Sequence, residues 1–223
     1  MFQKFDLIKP YDNDEGYFDY QDKLLQNISN NAENALRLAI LQTLAPVENY
    51  ESAICLLQYE QDIFDDKRIS LIGFYLSIVW NGEPKKFINK MLSYSQKASN
   101  EYKSMVDYLL ALQSLYKEQK DEMIAFLKKS IALYEFHVNN FLLLSKYSNK
   151  KDSKLYIKKA RENIINMTDN ETIEYFTDPN NFIGEFISGC LMPIETFEEL
   201  ISLKKRKTVS FLTVFRFLLY YGV

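Results

Sequence analysis

The amino-acid sequence predicts an all-α protein, and three observations carry that reading. Gly and Pro are scarce, 6 and 5 in 223 residues, which is too few breakers for a turn-rich sandwich or barrel. Apolar residues recur at three- and four-residue steps along most of the chain, and no strand-like alternation runs over a comparable length. Start and stop signals cut the chain into segments of about three to five helical turns with short connections, and short connections force antiparallel neighbours.

The elements follow in order. Residues 1–17 read as an acidic, irregular lead-in: Asp12, Asp14 and Glu15 surround turn-forming residues, and Pro10 opposes a helix start. A first short helix is expected from Phe18 to about Ile28. Asn30-Asn31-Ala32-Glu33 signals the next, which must end before Pro46. A helix over about 47–60 carries YESAICLLQY. Asp65-Asp66 opens KRISLIGFYLSIVW, which stops at Asn81-Gly82. Pro84 suits the first turn of PKKFINKMLSYSQ. Ser99-Asn100-Glu101 starts a helix to about Lys117, and another covers about 120–135. Asn139-Asn140 leads FLLLSKYS, and Lys151-Asp152-Ser153 leads KLYIKKARENIINM.

These helices fall into pairs that recur every 30–38 residues, a period found in helical repeat arrays. One pair member, DEMIAFLKKSIAL at 121–133, is apolar on more than one side. A helix of that kind needs one neighbour for each face, as a stacked array supplies. The same stretch resembles the second helix of a tetratricopeptide repeat, with Met123 and Ser130 at its two small-residue positions and Leu127 at its aromatic one. Leu110-Ala111 in the preceding helix stands at the family's Leu-Gly pair, as Ile72-Gly73 does one repeat earlier. Ala53 in YESAI and Ala160 in YIKKA take small positions in the flanking repeats. Small residues allow helices to approach closely. The likeness covers about residues 30–166. It departs from the family at Met123 and Lys85, which are not small, and in lacking the characteristic Pro after each second helix. The resemblance implies an α-solenoid of antiparallel hairpins over 18–167, continuous with a less regular helical part at 168–223.

In that last part, Pro179, Gly184, Gly189 and Pro193 interrupt the pattern. The basic run 204–207 then precedes FLTVFRFLLYYGV, in which Arg216 is the one charge. An apolar terminal helix is expected to cap the array. It is also a candidate surface for self-association or, behind its basic run, for contact with a membrane.

Composition narrows the function. Apolar residues make up 47% and charged residues 26% of the chain, in line with a soluble globular protein. A net charge of −3 and a pI near 5.4 argue against a nucleic-acid partner. Lys outnumbers Arg 22 to 5; with many Asn, Ile, Tyr and Phe this suits an A/T-rich, bacterial source. Cys55 and Cys190 have no CxxC spacing and read as thiols of a reducing compartment. The first residues lack the apolar core of a signal peptide, and no uncharged apolar run reaches membrane-spanning length. A cytoplasmic location is expected.

No catalytic, cofactor or metal-binding constellation stands out. His137 is the single histidine and reads as a polar residue at a helix end. GEFISG at 184–189 has the spacing of a phosphate loop's glycines but lacks the following Lys-Ser/Thr. The acidic pairs Asp65-Asp66, Asp121-Glu122 and Glu198-Glu199 sit near helix starts, where they suit the macrodipole. No cofactor is expected.

In the tetratricopeptide register, the first helix of each pair would line a concave groove. The resemblance thereby puts Phe74 and Ile78, with Tyr108, Leu112 and Tyr116, at groove-facing positions. An aromatic, apolar groove suits an amphipathic helix or apolar peptide, unless neighbouring helices fill it. The expected function is therefore non-catalytic binding of a partner protein or peptide, as an adaptor, regulator or immunity-type neutraliser. The alternatives are an enzyme with a dispersed site and a peptide-responsive or nucleic-acid-associated regulator.

Overall fold

A computed structural model describes residues 13–169, apart from 44–45, 82–83 and 136. Among the described residues the secondary structure is helical throughout. The helices are α1 (Asp14–Gln26), α2 (Ala32–Gln42), α3 (Tyr50–Ile63), α4 (Lys67–Asn81), α5 (Lys85–Lys97), α6 (Asn100–Tyr116), α7 (Lys120–Leu133), α8 (Val138–Tyr147) and α9 (Lys150–Asp169), with a 3-10 turn at Ile28–Asn30. The helical elements expected at 168–223, including the apolar terminal helix, lie outside the described residues apart from the end of α9.

Asparagine sets many of the starts. Asn13, Asn31 and Asn49 each turn their side-chain oxygen onto an N–H of the first turn of α1, α2 and α3. Asn149 accepts from the N–H groups of Lys151 and Asp152 at 3.0 and 3.1 Å. Each satisfies donors that the helix itself leaves unpaired. The cap at Asn13 corrects the expected lead-in of 1–17. The first helix begins at Asp14 rather than Phe18, and Asp14 and Glu15 form its acidic first turn. Asp66 acts likewise at α4, accepting from the Arg68 N–H at 2.9 Å.

The chain divides into two compact units between Ser99 and Asn100, and each is described separately. In the first, α2 packs on α3, α3 on α4 and α4 on α5, with α2 also touching α4. α1 docks on α2 through Tyr17, Leu24, Leu38 and Leu41, and the Tyr17 hydroxyl donates to the Leu41 carbonyl at 3.0 Å. That carbonyl belongs to the last turn of α2, where the helix supplies no partner of its own.

An ionic lattice ties three helices together at the other end of α2. Glu33 accepts from Arg37 on its own helix and from Arg68 at the start of α4. Arg68 also grips Asp66 at 2.6 Å, and Arg37 reaches the Tyr20 hydroxyl on α1 at 3.3 Å. Burial pushes the Asp66 carboxyl upward, but the hydrogen bonds and charge of Arg68 outweigh it and hold the group below its usual range.

In the second unit α6 packs on α7, α7 on α8 and α8 on α9. The α6–α7 turn runs through 117–119 with Glu118 at φ 60. Its N–H bonds to the Leu115 carbonyl, and the Gln119 N–H bonds to the Ser114 carbonyl. This is the Schellman arrangement, in which the left-handed position usually holds glycine.

The small residues of the repeat pattern are in the interior. Ala53, Ala111, Ser130 and Ala160 are all buried. Gly73 shows why size matters there: a Cβ added to it would stand 2.3 Å from Cε1 of Phe87 on α5.

Candidate functional site

The expected groove residues separate into buried and exposed groups. Phe74 and Ile78 are buried because α4 is apolar nearly all round and packs against α2, α3 and α5, as a core helix must. Tyr108 is buried on α6, with its ring edge-on to His137 at 4.7 Å between centroids. Leu112 is half-buried. Tyr116, in the last turn of α6, is 56% exposed. Phe74 and Ile78 belong to one unit and the other three to the other. Neighbouring helices thus cover most of these side chains, and Tyr116 is the one that stands largely in water.

A buried polar cluster joins α6, α7 and the start of α8. Ser104 and Ser130 are fully buried and His137 is 3% exposed. Ser130 donates to the Ser104 carbonyl at 2.7 Å. The two hydroxyl oxygens stand 2.7 Å apart, and Ser104 Oγ lies 3.3 Å from His137 Nδ1. One donor chain accommodates all three distances: Nδ1–H to Ser104 Oγ, Ser104 O–H to Ser130 Oγ, and Ser130 O–H to the carbonyl. In that chain the imidazole donates to Ser104 and does not withdraw its proton. With burial, this makes the cluster a polar staple between helices rather than an activated nucleophile. His137 stands just before the first residue of α8, at the helix end where its isolation in the sequence placed it. Its partners could not be read from the sequence, because 26 and 33 positions separate the members of the cluster.

Two buried carboxylates stand apart from the staple. Asp107 accepts from Lys129 at 2.8 Å through one oxygen, while its other oxygen is buried without a hydrogen-bond partner. Burial raises its pKa, and Lys129 opposes that rise. Glu60 on α3 also buries an oxygen without a partner, and burial raises its pKa as well. Next to it, Gln61 donates to the Lys86 carbonyl at 3.3 Å. Acidic Asp65 accepts from the Tyr94 hydroxyl at 2.6 Å; burial and that bond push the phenol up to about 12. Asp121 and Glu122 occupy the first turn of α7, in keeping with the helix-start reading. Glu198-Glu199 and the 184–189 stretch lie outside the described residues. Among the described residues no group of three His, Cys, Asp or Glu could hold a metal ion.

One face open to a partner is the outside of α3. Cys55, Tyr59 and Ile63 recur at four-residue steps on the face turned away from the core, with Tyr59 68% and Ile63 55% exposed. Leu56 is half-buried beside them. At the opposite end of the α3–α4 hairpin, Trp80 is half exposed and stacks on Tyr50, with centroids 5.8 Å apart and planes within 3°. The repeat pattern drew attention away from this face, because it assigns binding to the first helix of each pair.

Among the described residues no helix is long and apolar enough to cross a membrane. No family model, curated protein or solved structure matches the chain.

Proposed function

We propose that the chain is a non-catalytic helical-repeat protein, an α-solenoid of tetratricopeptide-like hairpins, that binds a partner protein or peptide as an adaptor, regulator or immunity-type neutraliser. The observation that carries the reading is the exposed apolar strip of Cys55, Tyr59 and Ile63 on α3. Large apolar side chains aligned on one helix face mark sites of macromolecular contact more than singly scattered ones do, and tyrosine is a favoured anchor at such contacts. The repeat assignment draws support from Gly73 against Phe87 and from the contact of α2 with α4. Stacked hairpins require such a contact between successive first helices. In this reading the partner surface is the outer side of a second helix, and the protein works in a bacterial cytoplasm.

The test is affinity capture from native cells with the wild-type chain and a Tyr59→Glu/Ile63→Glu variant. Both side chains are exposed, so the helical circular dichroism should be unchanged. A protein retained by the wild type and released by the variant supports the reading. An identical set of retained proteins refutes the assignment to α3.

A further inference from the structure

The outward faces of α1 and α9 are opposite in their prevailing charge, and each carries exposed apolar side chains. On α9, Lys151, Lys154, Lys158 and Lys159 are exposed around Leu155, and Leu155 is itself 50% exposed. The opposite side of the helix, Ile157, Ala160 and Asn163, is buried. Four lysines thus frame one leucine on a face about three turns long. Two acidic residues lie among them: Glu162, which pairs with Lys158 at 3.5 Å, and the half-buried Asp152 of the first turn, which accepts from the Asn149 side chain at 2.8 Å.

On α1 acidic residues outnumber the one exposed cation, Lys23. Glu15, Asp19 and Asp22 are exposed, with Asp14 at the first turn, and Phe18 and Leu25 are 50% and 48% exposed on the same side. Tyr17 and Leu24 occupy the opposite, buried side. Helical steps of three and four place Glu15, Phe18, Asp22 and Leu25 along one stripe.

We infer that α9 of one copy docks on α1 of a second copy, with Leu155 against Phe18 and Leu25 and the lysines against Asp19, Asp22 and Glu15. The occupant follows from the complementarity: the chain carries an acidic amphipathic helix of the composition that the α9 face calls for. α1 packs on α2 and α9 on α8, with the exposed residues named above on the other side of each helix. Made once per pair of copies, a contact between two different faces is heterologous and builds a ring if its rotation closes or a filament if it does not; made reciprocally it closes a two-fold dimer. Exposed charge pairs steer the encounter and set its register, and salt screens them.

Sedimentation of the intact protein tests this. The weight-average mass should rise with concentration in low salt, and the dissociation constant should weaken at least tenfold on going from about 0.02 M to about 0.5 M salt. Lys151→Glu/Lys154→Glu should abolish the association, as should Asp19→Lys/Asp22→Lys. Mixing the two reversed variants with each other should restore a complex, because each supplies the surface that the other now fits. Circular dichroism of each variant checks folding. A protein that stays monomeric at every concentration overturns the inference. So does an association untouched by both variants, one lost with a single variant only, or reversed variants that fail to combine.

Discussion

Substituting Gly73 by alanine tests the packing of the α4–α5 hairpin. The added methyl would lie 2.3, 2.5 and 2.6 Å from three carbons of the Phe87 ring. Carbon atoms rest at about 3.5–4.0 Å, so ring and methyl must separate by more than roughly 1 Å. Phe87 is fully buried, and a packed interior gives way only by moving its neighbours. Overpacking of this kind costs about 1–3 kcal/mol, and the shortness of the contact points to the upper end. Alanine regains about 1 kcal/mol of helix propensity over glycine. The net expectation is a loss of about 2 kcal/mol, a melting point lower by about 4–8 °C for a chain of this size. Urea denaturation followed by circular dichroism measures it. A second substitution, Phe87→Leu, removes ring atoms from the collision. The double variant should therefore be more stable than the sum of the singles predicts by about 1 kcal/mol or more. A Gly73→Ala protein as stable as the wild type, or stabilised by the propensity gain alone, would refute the close approach.

Three further outcomes are expected. Ala111→Leu places a larger side chain at a fully buried position on α6 and should cost roughly 1–3 kcal/mol; an unchanged denaturation midpoint would remove Ala111 from the helix–helix seam. Glu118→Gly relieves a left-handed residue at the end of α6 and should raise stability by up to about 1 kcal/mol, read from the same denaturation curves. Glu60→Gln should stabilise by about 1 kcal/mol near neutral pH, because it removes a buried charge with an unpartnered oxygen. The folded-state pKa of Glu60 lies above its ordinary value, so the wild type gains stability as pH falls through that raised pKa. The advantage of the variant should accordingly shrink on acidification and vanish below the ordinary glutamate range; a gap that stays constant with pH would show that Glu60 is not strained by burial.

The helices were legible in the sequence because their signals are local. Asn31 is read as a start from its own neighbours, and the pair Asp65-Asp66 announces α4 just as the bond from Arg68 to Asp66 realises it. Gly73 was legible as a close-approach residue because size alone decides close approach, and its neighbour across the hairpin is Phe87. The start of α1 was misplaced because Pro10 and Asp12 look like turn residues, while the helix begins at once after the Asn13 cap. The end of α6 gave no glycine signal, since Glu118 holds the left-handed position. What groups around His137 was hidden, because Ser104 and Ser130 reach it only through the packing of separate helices. Periodicity could not tell an open groove from a filled one. A helix buried along most of its length, such as α4, and one lining an apolar groove carry nearly the same residues. The exposed strip on α3 shows that difference only in three dimensions.

The order in which the helices pack has a kinetic consequence. Among the described helices, the principal contacts join helices that follow one another in the chain, with α2 on α4 as a skip. Each contact can close after a turn as short as 64–66 or 117–119, so little loop entropy is lost before the first apolar faces meet. Such local topology gives fast folding, on the microsecond-to-millisecond scale typical of helical domains. Each hairpin can therefore form largely independently of the others.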